Sequence, residues 1–328
     1  MAQVWTRRAV MAGAAACALP LRAAPAGWTA GPALPWPAQE IYCAVADGGL
    51  VTAGGLDGWR VLDRTAVLDP DGWTEGPRLP APRHHLMLVA SDGILAYGGF
   101  TPTARGDWTG TDTIWRLGVE GWVDAGRMPA PQAECVGLAW QGSVHLIGGR
   151  RPAGGDGRWQ DHADVADHLV HDPASGTWDS AAPLPRALNS AAGAVLDGAL
   201  WVVGGRTAAL EPSDALYRWD PVADRWDRAA PLPPEDGRRG RGGLAAAAAG
   251  GRLWAMGGEY FDGPGGVFAT AWSYDPTTDR WDPAPPLPTP RHGLAAATLG
   301  NRIITLGGSA RVATGETVAT VEVLATGG

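Results

Sequence analysis

The sequence predicts an all-β chain built from six repeats of a four-stranded unit, and three observations predict it. Residues 196–226 alternate apolar runs with turn residues: Asp197-Gly198 precedes the run 200–203, Gly204-Gly205 ends it, and the run 216–219 closes at Asp220-Pro221 before Trp226. The glycine pair recurs at Gly54-Gly55, Gly98-Gly99, Gly148-Gly149, Gly204-Gly205, Gly257-Gly258 and Gly307-Gly308, with successive spacings of 44, 50, 56, 53 and 50 residues. Tryptophan recurs with it, at Trp28, Trp73, Trp122, Trp178, Trp226 and Trp281, each followed within a few residues by Leu-Pro or Met-Pro. Self-similarity at this period marks a propeller or a solenoid.

Each element has a local reason. A fourth strand begins near Asn189, just upstream of the run 200–203. The glycine pair suits a strand that must end sharply while another backbone comes close, where a Cβ is not tolerated and φ is often positive. The Gly-Gly and Trp positions of residues 27–328 resemble those of the Kelch repeat family, which implies a β-propeller of six blades. The family's tyrosine before the Asp-Pro turn survives only as Tyr274, its place being taken elsewhere by Leu68, Leu117, His171, Trp219 and Leu324. The first Trp strand has nothing before it and the sixth repeat has no Trp strand, so the N-terminal strand at Trp28 is expected to close blade six, which removes the open sheet edges. Burying ~150–250 Å² of each repeat tryptophan would contribute up to roughly 4–6 kcal/mol, so these six are expected to be core.

Residues 1–26 read as a segment outside the fold. Arg7-Arg8, the apolar run 9–21 and Ala24-Pro25-Ala26 have the charged start, short hydrophobic middle and small-residue cleavage site of a signal peptide, and the twin arginine points to the Tat route. A periplasmic or secreted protein is expected, with cleavage after Ala26 rather than lipidation at Cys17. No apolar run reaches the ~20 residues that a membrane span needs. Cleavage removes three arginines and no acid, leaving 23 basic and 34 acidic side chains, a net charge of −11. Such a surface is not a nucleic-acid partner. The chain has no lysine, which excludes lysine Schiff-base chemistry and a P-loop. Cys43 and Cys135 fall in blades one and three and are expected to be buried free thiols. His162, Asp164, Asp167, His168 and His171 cluster in sequence, but His168 and His171 lie three apart in a strand and point to opposite faces, so no metal site is expected. No cofactor is implied.

Loop lengths distinguish the two faces of the disc. The turns within each blade are tight, whereas residues 100–111, 150–165 and 259–270 follow glycine pairs as long loops, the usual place for binding residues. Alignment on the glycine pairs and on the repeated Pro-Arg-His gives two rings at the expected channel mouth. One is Ala38, Arg83, Gln132, Leu188, Arg241 and Arg291; the next is Gln39, His84, Ala133, Asn189, Gly242 and His292. Arg83, Arg241, Arg291, His84 and His292, with Gln132, form a candidate site for an anion, because guanidinium forks match carboxylates. The alternative for the arginines is pairing with Glu40, Glu134 or loop acids that locks the blades together.

Immediately after the glycine pairs stand Leu56, Phe100, Arg150, Arg206, Glu259 and Ser309, of which Glu259 is the only carboxylate. Glu259, beside Tyr260 and across from Arg206, is the candidate general base or acid. Trp36, Trp59, Trp108 and Trp159 fall outside the repeat positions on the same face and could stack on sugar rings. The set resembles the periplasmic N-acetylneuraminate epimerase (sialic-acid mutarotase) family in its export signal, six blades and length, which implies activity on a carboxylated saccharide; the chain itself is expected to be a monomer. Gly258-Glu259 matches the first half of that family's Gly-Glu motif, but residues 263–270 lack the arginine that follows it. A non-catalytic propeller that binds a saccharide or a protein is the other expectation. Copper radical oxidases of the galactose oxidase type also contain Kelch blades, yet have seven blades and a further domain, and the chain departs from them on both.

Overall fold

Short β-branched and alanine-rich runs, cut by glycine turns, form six antiparallel four-stranded sheets in the computed structural model, which describes residues 27–154 and 157–326. The expected export segment, 1–26, lies outside the described residues. Blade one comprises Tyr42–Ala46, Gly49–Ala53, Thr65–Asp69 and Gly72–Gly76. Blade two comprises Met87–Ser91, Gly93–Tyr97, Thr113–Gly118 and Gly121–Arg127, and blade three Val136–Trp140, Ser143–Ile147, His168–Asp172 and Thr177–Ala181. Blades four and five run Asn189–Leu196, Ala199–Arg206, Leu216–Asp220, Arg225–Ala229 and Ala245–Ala249, Arg252–Met256, Ala271–Asp275, Arg280–Ala284. Blade six has Ala295–Leu299, Arg302–Leu306 and Val321–Ala325, and its outermost strand is Trp28–Ala30, in the register Trp28↔Leu324, Thr29↔Val323 and Ala30↔Glu322. The inner strands of blades one and six are neighbours, so the six sheets close into a ring.

Three cyclic sets of interactions hold the blades. In the first, the second glycine of each pair donates its N–H to the carbonyl that opens the next blade: Gly55 to Arg83, Gly99 to Gln132, Gly149 to Leu188, Gly205 to Arg241, Gly258 to Arg291 and Gly308 to Ala38. The first glycine of each pair faces the same carbonyl so closely that a Cβ would meet it at 2.2–3.0 Å, and every one of the twelve residues has positive φ.

In the second set, each repeat tryptophan donates its indole N–H to a carbonyl just after the outermost strand of the preceding blade or at its end. Trp28 reaches Pro285, Trp73 Pro32, Trp122 Pro77, Trp178 Arg127, Trp226 Ala182 and Trp281 Ala230, all at 2.7–3.2 Å. This corrects the expectation that all six are core. Only Trp122 is buried; the others are half-buried, because an outermost strand has one open side and the indole is used to bridge blades.

The third set is a closed ring of backbone hydrogen bonds round the axis, formed by Glu40, His85, Glu134, Ser190, Gly243 and Gly293. Each amide donates to the carbonyl of its counterpart in the preceding blade, at 2.7, 3.0, 3.4, 3.3, 2.9 and 2.8 Å in that order. All six residues are left-handed, with φ between 49° and 61°. That conformation is strained for the four that are not glycine.

The loops that follow the glycine pairs are partly regular. Those of blades one, two, three and five carry two-stranded ribbons: Leu56–Asp57 with Arg60–Val61, Phe100–Pro102 with Trp108–Gly110, Arg150–Pro152 with His162–Asp164, and Glu259–Tyr260 with Gly266–Val267. Pairing satisfies their backbone groups without tertiary cover. The two cysteines are free; Cys135 is buried, but Cys43 is half-buried because it lines the axial channel. Among the described residues no helix is long and apolar enough to cross a membrane.

Candidate functional site

The left-handed ring aims the side chains of blades one to four at the axis, where they meet groups from the strand ends after the glycine pairs. Glu40 Oε2 lies 2.8 Å from His85 Nε2, and His85 Nδ1 lies 2.7 Å from His84 Nδ1. On its other side Glu40 Oε1 is 3.5 Å from His292 Nδ1, which is 3.4 Å from Glu259 Oε2; Glu259 Oε1 is in turn 3.7 Å from Arg206 Nε. Blade three adds Glu134, which accepts from Ser190 Oγ at 2.9 Å and pairs with Arg150 at 3.4 Å. Every blade therefore contributes to one charged cluster.

Its electrostatics are uneven. Burial pushes the Glu259 carboxyl above its ordinary range, against the pull of His292 and Arg206. Glu40 is buried as well, but His85, His292 and Arg206 together outweigh that and hold it well below the usual carboxylate range. In Glu134 the opposition of burial to His85, Arg150 and Arg206 also ends in a lowered value. Burial lowers His85, and Glu40 and Glu134 more than reverse this; His84 is driven well below the ordinary imidazole value by burial and by His85. The cluster thus holds a carboxyl inclined to keep its proton within 3.4 Å of an imidazole nitrogen, an arrangement suited to general acid–base chemistry.

Below the ring the inner strands enclose a cavity of about 170 Å³, lined at its polar end by Glu40, His85 and Ser190 and farther down by Tyr42, Leu88, Leu138 and Leu244. On the opposite side Glu259 and His292 are covered by the segment 309–317. Ala313 N donates to Glu259 Oε2 at 3.3 Å, and His292 Nε2 donates to the carbonyls of Arg311 and Ala313 at 3.0 and 2.9 Å.

Of the residues expected at the mouth, Glu259, His292, Arg206 and His84 come together in this cluster. The arginine ring does not, which corrects that placement. Arg291 is fully buried, bonded to Gly307 O, Thr289 O and Thr305 Oγ1 and paired with Glu322 at 2.5 Å. Arg241 binds Gly257 O and Glu235 over the Phe268 ring, and Arg83 binds Pro82 O over Trp115. Burial brings the guanidinium pKa of Arg83 and of Arg241 down to about 10. Gln132 likewise donates to Gly148 O and accepts from Arg151. Gln132, Arg241 and Arg291 each donate to the carbonyl of the first glycine of their own blade's pair, and Arg83 to that of its neighbour Pro82, so all four are buried in the blade frame and do not line an open mouth. The acids that neutralise Arg241 and Arg291 are Glu235 and Glu322, not Glu40 or Glu134.

Arg206 differs. Its side chain is 14 % exposed, its stem occupies the space over Gly242, and its guanidinium donates no hydrogen bond to any described residue, whereas Arg83 and Arg241, whose Nε atoms are also without a partner, donate through their terminal nitrogens. Tyr260 lies under the Arg238 guanidinium at 4.1 Å rather than beside Glu259. Trp59, Trp108 and Trp159 form one aromatic stack with centroid separations of 5.7 and 5.5 Å, Trp108 stands 4.3 Å from His84, and Trp59 is 70 % exposed. Trp36 is buried beneath Arg64 and takes no part. His168 and His171 face different partners, His145 and Tyr97, so the histidine-rich stretch is dispersed.

Sequence reasoning missed His85 and Ser190 and treated Glu40 and Glu134 only as possible arginine partners. The signal was available, since the two rings aligned on the glycine pairs are followed, one residue later, by Glu40, His85, Glu134, Ser190, Gly243 and Gly293.

A model of the Kelch motif matches residues 187–233 and 240–288, which are blades four and five. The other four blades repeat the same strand order, glycine pair and tryptophan clamp. The chain is a six-bladed Kelch propeller. Kelch-like protein 35 of Mus musculus is 30% identical over 138 residues, 42% of this chain; that alignment spans 22% of the relative's own length. The solved structure of YjhT resembles the propeller with a TM-score of 0.77 at 19% identity, covering 89% of this chain and 96% of that one. A likeness at that identity concerns the fold.

Proposed function

We propose that this propeller binds a carboxylated saccharide at the axial mouth and interconverts its anomers. The observation that carries the reading is the Glu259–His292 pair, buried with Arg206 at one edge and with the tryptophan stack reached through Glu40, His85 and His84. Anomer exchange needs one acid and one base and no cofactor: a base takes the proton of the anomeric hydroxyl, an acid protonates the ring oxygen, and the C–O bond between them breaks. Reclosure on the other face reverses both transfers. Glu259 and His292 are the two groups placed to share these roles, Arg206 supplies a guanidinium for the sugar carboxylate, and Trp59 offers an open aromatic face. Access requires the segment 309–317 to lift from Glu259. The resemblance to the N-acetylneuraminate epimerase family supports the substrate class, with Arg206 from blade four standing in for the arginine that residues 263–270 lack.

The test is the anomerisation rate of N-acetylneuraminate by NMR, with galactose as control, for the wild type and Glu259→Gln. A loss of about 10²–10⁴-fold in the variant is expected. Rates equal to buffer with the wild type would leave a second reading, a non-catalytic propeller binding a saccharide or a protein, which the sealed segment over Glu259 favours. We also propose that residues 1–26 direct Tat export and are removed. A periplasmic mass beginning at Gly27 supports this, and normal export of an Arg7→Lys, Arg8→Lys double variant would overturn it.

A further inference from the structure

We infer that Glu40 is a positioning residue, a fixed anion that holds a proton on His292 Nδ1 so that His292 presents that proton toward Glu259. The assignment begins with the geometry of His292. Its Nε2 lies 3.0 and 2.9 Å from two carbonyl oxygens, those of Arg311 and Ala313, which can only accept, so Nε2 carries a hydrogen. Its Nδ1 lies between two carboxyl oxygens, Glu40 Oε1 at 3.5 Å and Glu259 Oε2 at 3.4 Å. A bare lone pair at Nδ1, buried and without a hydrogen-bond partner, would face the Glu40 carboxylate, which can only accept; a proton at that nitrogen resolves the contact.

Glu40 is built to stay where it can do this. The axial ring fixes its backbone at φ 52°, its amide donating to Gly293 O, the residue next to His292, and its carbonyl accepting from His85 N. Gly293 leaves the necessary room, because a Cβ there would stand 2.8 Å from Glu40 Cδ. The second carboxylate oxygen is held by His85 Nε2 at 2.8 Å. The groups facing His292 are therefore Glu40 from blade one, Glu259 from blade five and the carbonyls of its own blade's segment, with His85 and Arg206 one contact farther out. Glu40 also lines the axial cavity whereas Glu259 and His292 do not, so it joins the sealed pair to the channel.

In the anomerisation proposed above, on which this catalytic part of the inference rests, the consequence is a defined transfer. When Glu259 acts as acid, its O–H bond breaks toward the sugar ring oxygen and the His292 Nδ1–H bond can then break to restore it. The anomeric hydroxyl proton then passes to Glu259 as Glu259 returns a proton to the bare Nδ1, so that both groups end as they began, and reclosure runs the same transfers in reverse. Glu40 remains a carboxylate throughout and compensates the imidazolium charge.

The experiment is ¹⁵N NMR of histidine-labelled protein, which reads the proton on His292 without any substrate. In the wild type at pH 7, His292 is expected to show hydrogen on both nitrogens; a bare Nδ1 there would overturn the inference without recourse to a variant. In Glu40→Gln, which keeps the shape and removes the charge, the Nδ1 proton is expected to be lost at the same pH, and an unchanged His292 spectrum in the folded variant would overturn it equally. If the wild type anomerises N-acetylneuraminate, Glu40→Gln should lower kcat about 10-fold or more with KM little changed and displace the pH–rate profile. A parallel fall at every pH would reduce Glu40 to a structural role. Absence of wild-type activity would remove the anomerase reading and leave the NMR result to decide the role of Glu40.

Discussion

The Trp28 indole donates to Pro285 O at 2.7 Å, joining the first described strand of the chain to the end of blade five. It occupies the same place in the cyclic clamp as the five other repeat tryptophans, although 257 residues separate donor and acceptor. Deleting residues 27–35 should therefore open blade six and leave the strand Val321–Ala325 paired on one side only, with Arg302–Leu306. In thermal melts of the protein lacking residues 1–26, the further truncation is expected to lower Tm by many degrees, and Trp28→Phe by the equivalent of about 1 kcal/mol, a single net hydrogen bond. Equal melting of the truncated and untruncated proteins would refute the closure.

The glycine pairs make a second, graded prediction. Gly307 has φ 60° and its added Cβ would stand 2.3 Å from Ala38 O, whereas Gly48 has φ 77° with open space around it. Gly48→Ala should cost only the left-handed penalty of roughly 1–2 kcal/mol. Gly307→Ala adds a backbone clash and is expected to cost at least a further ~2 kcal/mol by urea denaturation. Similar values for the two would mean that the pair serves only conformation and not the approach of the next blade.

The repeats were legible because glycine pairs and tryptophans answer to local and nearest-blade constraints that recur with the period. The cluster was legible only in part. Glu259 and His292 stood out as lone polar residues at repeat positions, but the role of Glu40 depends on Gly293 being empty 253 positions away, a relation that no local pattern carries. Arg83, Arg241 and Arg291 misled for a physical reason: the place beside a glycine pair suits a long donor that satisfies carbonyls of the blade frame, and the sequence pattern of that task is the same as that of an open cationic ring. The ribbons at the loop face were unreadable because Leu56–Asp57 and Glu259–Tyr260 are two residues each, too short for any alternation to show.

Acid should weaken the fold before the carboxylates titrate. His145 and His168 share a 2.8 Å hydrogen bond inside blade three, and burial lowers their pKa values to about 4 and about 3, His145 adding to the effect on His168. A group whose folded value is depressed below its unfolded value near 6.5 binds protons preferentially in the unfolded chain as pH falls. Stability is thus full above pH ~6.5 and declines toward pH 3–4, with Glu40 and Glu134 adding to the loss below the ordinary carboxylate range. His85 and Glu259, both raised, act in the opposite sense but are outnumbered by His84, His145, His162, His168 and His171. Tm is expected to be lower at pH 5 than at pH 7, and less so in His168→Gln; an unchanged or higher Tm at pH 5 would contradict this balance.

Arg206 and Arg291 separate binding from architecture. Arg291→Ala would leave Glu322 buried and unpaired and strip Gly307 O, Thr289 O and Thr305 of a donor, so it should destabilise the propeller by about 3–5 kcal/mol. Arg206→Ala removes a guanidinium whose nearest acid is 3.7 Å away and which donates no hydrogen bond to any described residue, so the fold should hold, with Tm within a few degrees of the wild type. If Arg206 pairs with the carboxylate of a bound sugar, its loss should remove a charge-assisted interaction of roughly 1.5–3 kcal/mol, which is about 10–150-fold in Kd for N-acetylneuraminate by calorimetry. Trp59→Ala should weaken the same Kd by about 2–10-fold through lost stacking, again without unfolding, because its ring is already in solvent. Unchanged affinity in Arg206→Ala, with a measurable wild-type Kd, would move the carboxylate contact elsewhere on the face. Loss of folding in Arg206→Ala would assign this arginine the same blade-locking task that Arg291 performs.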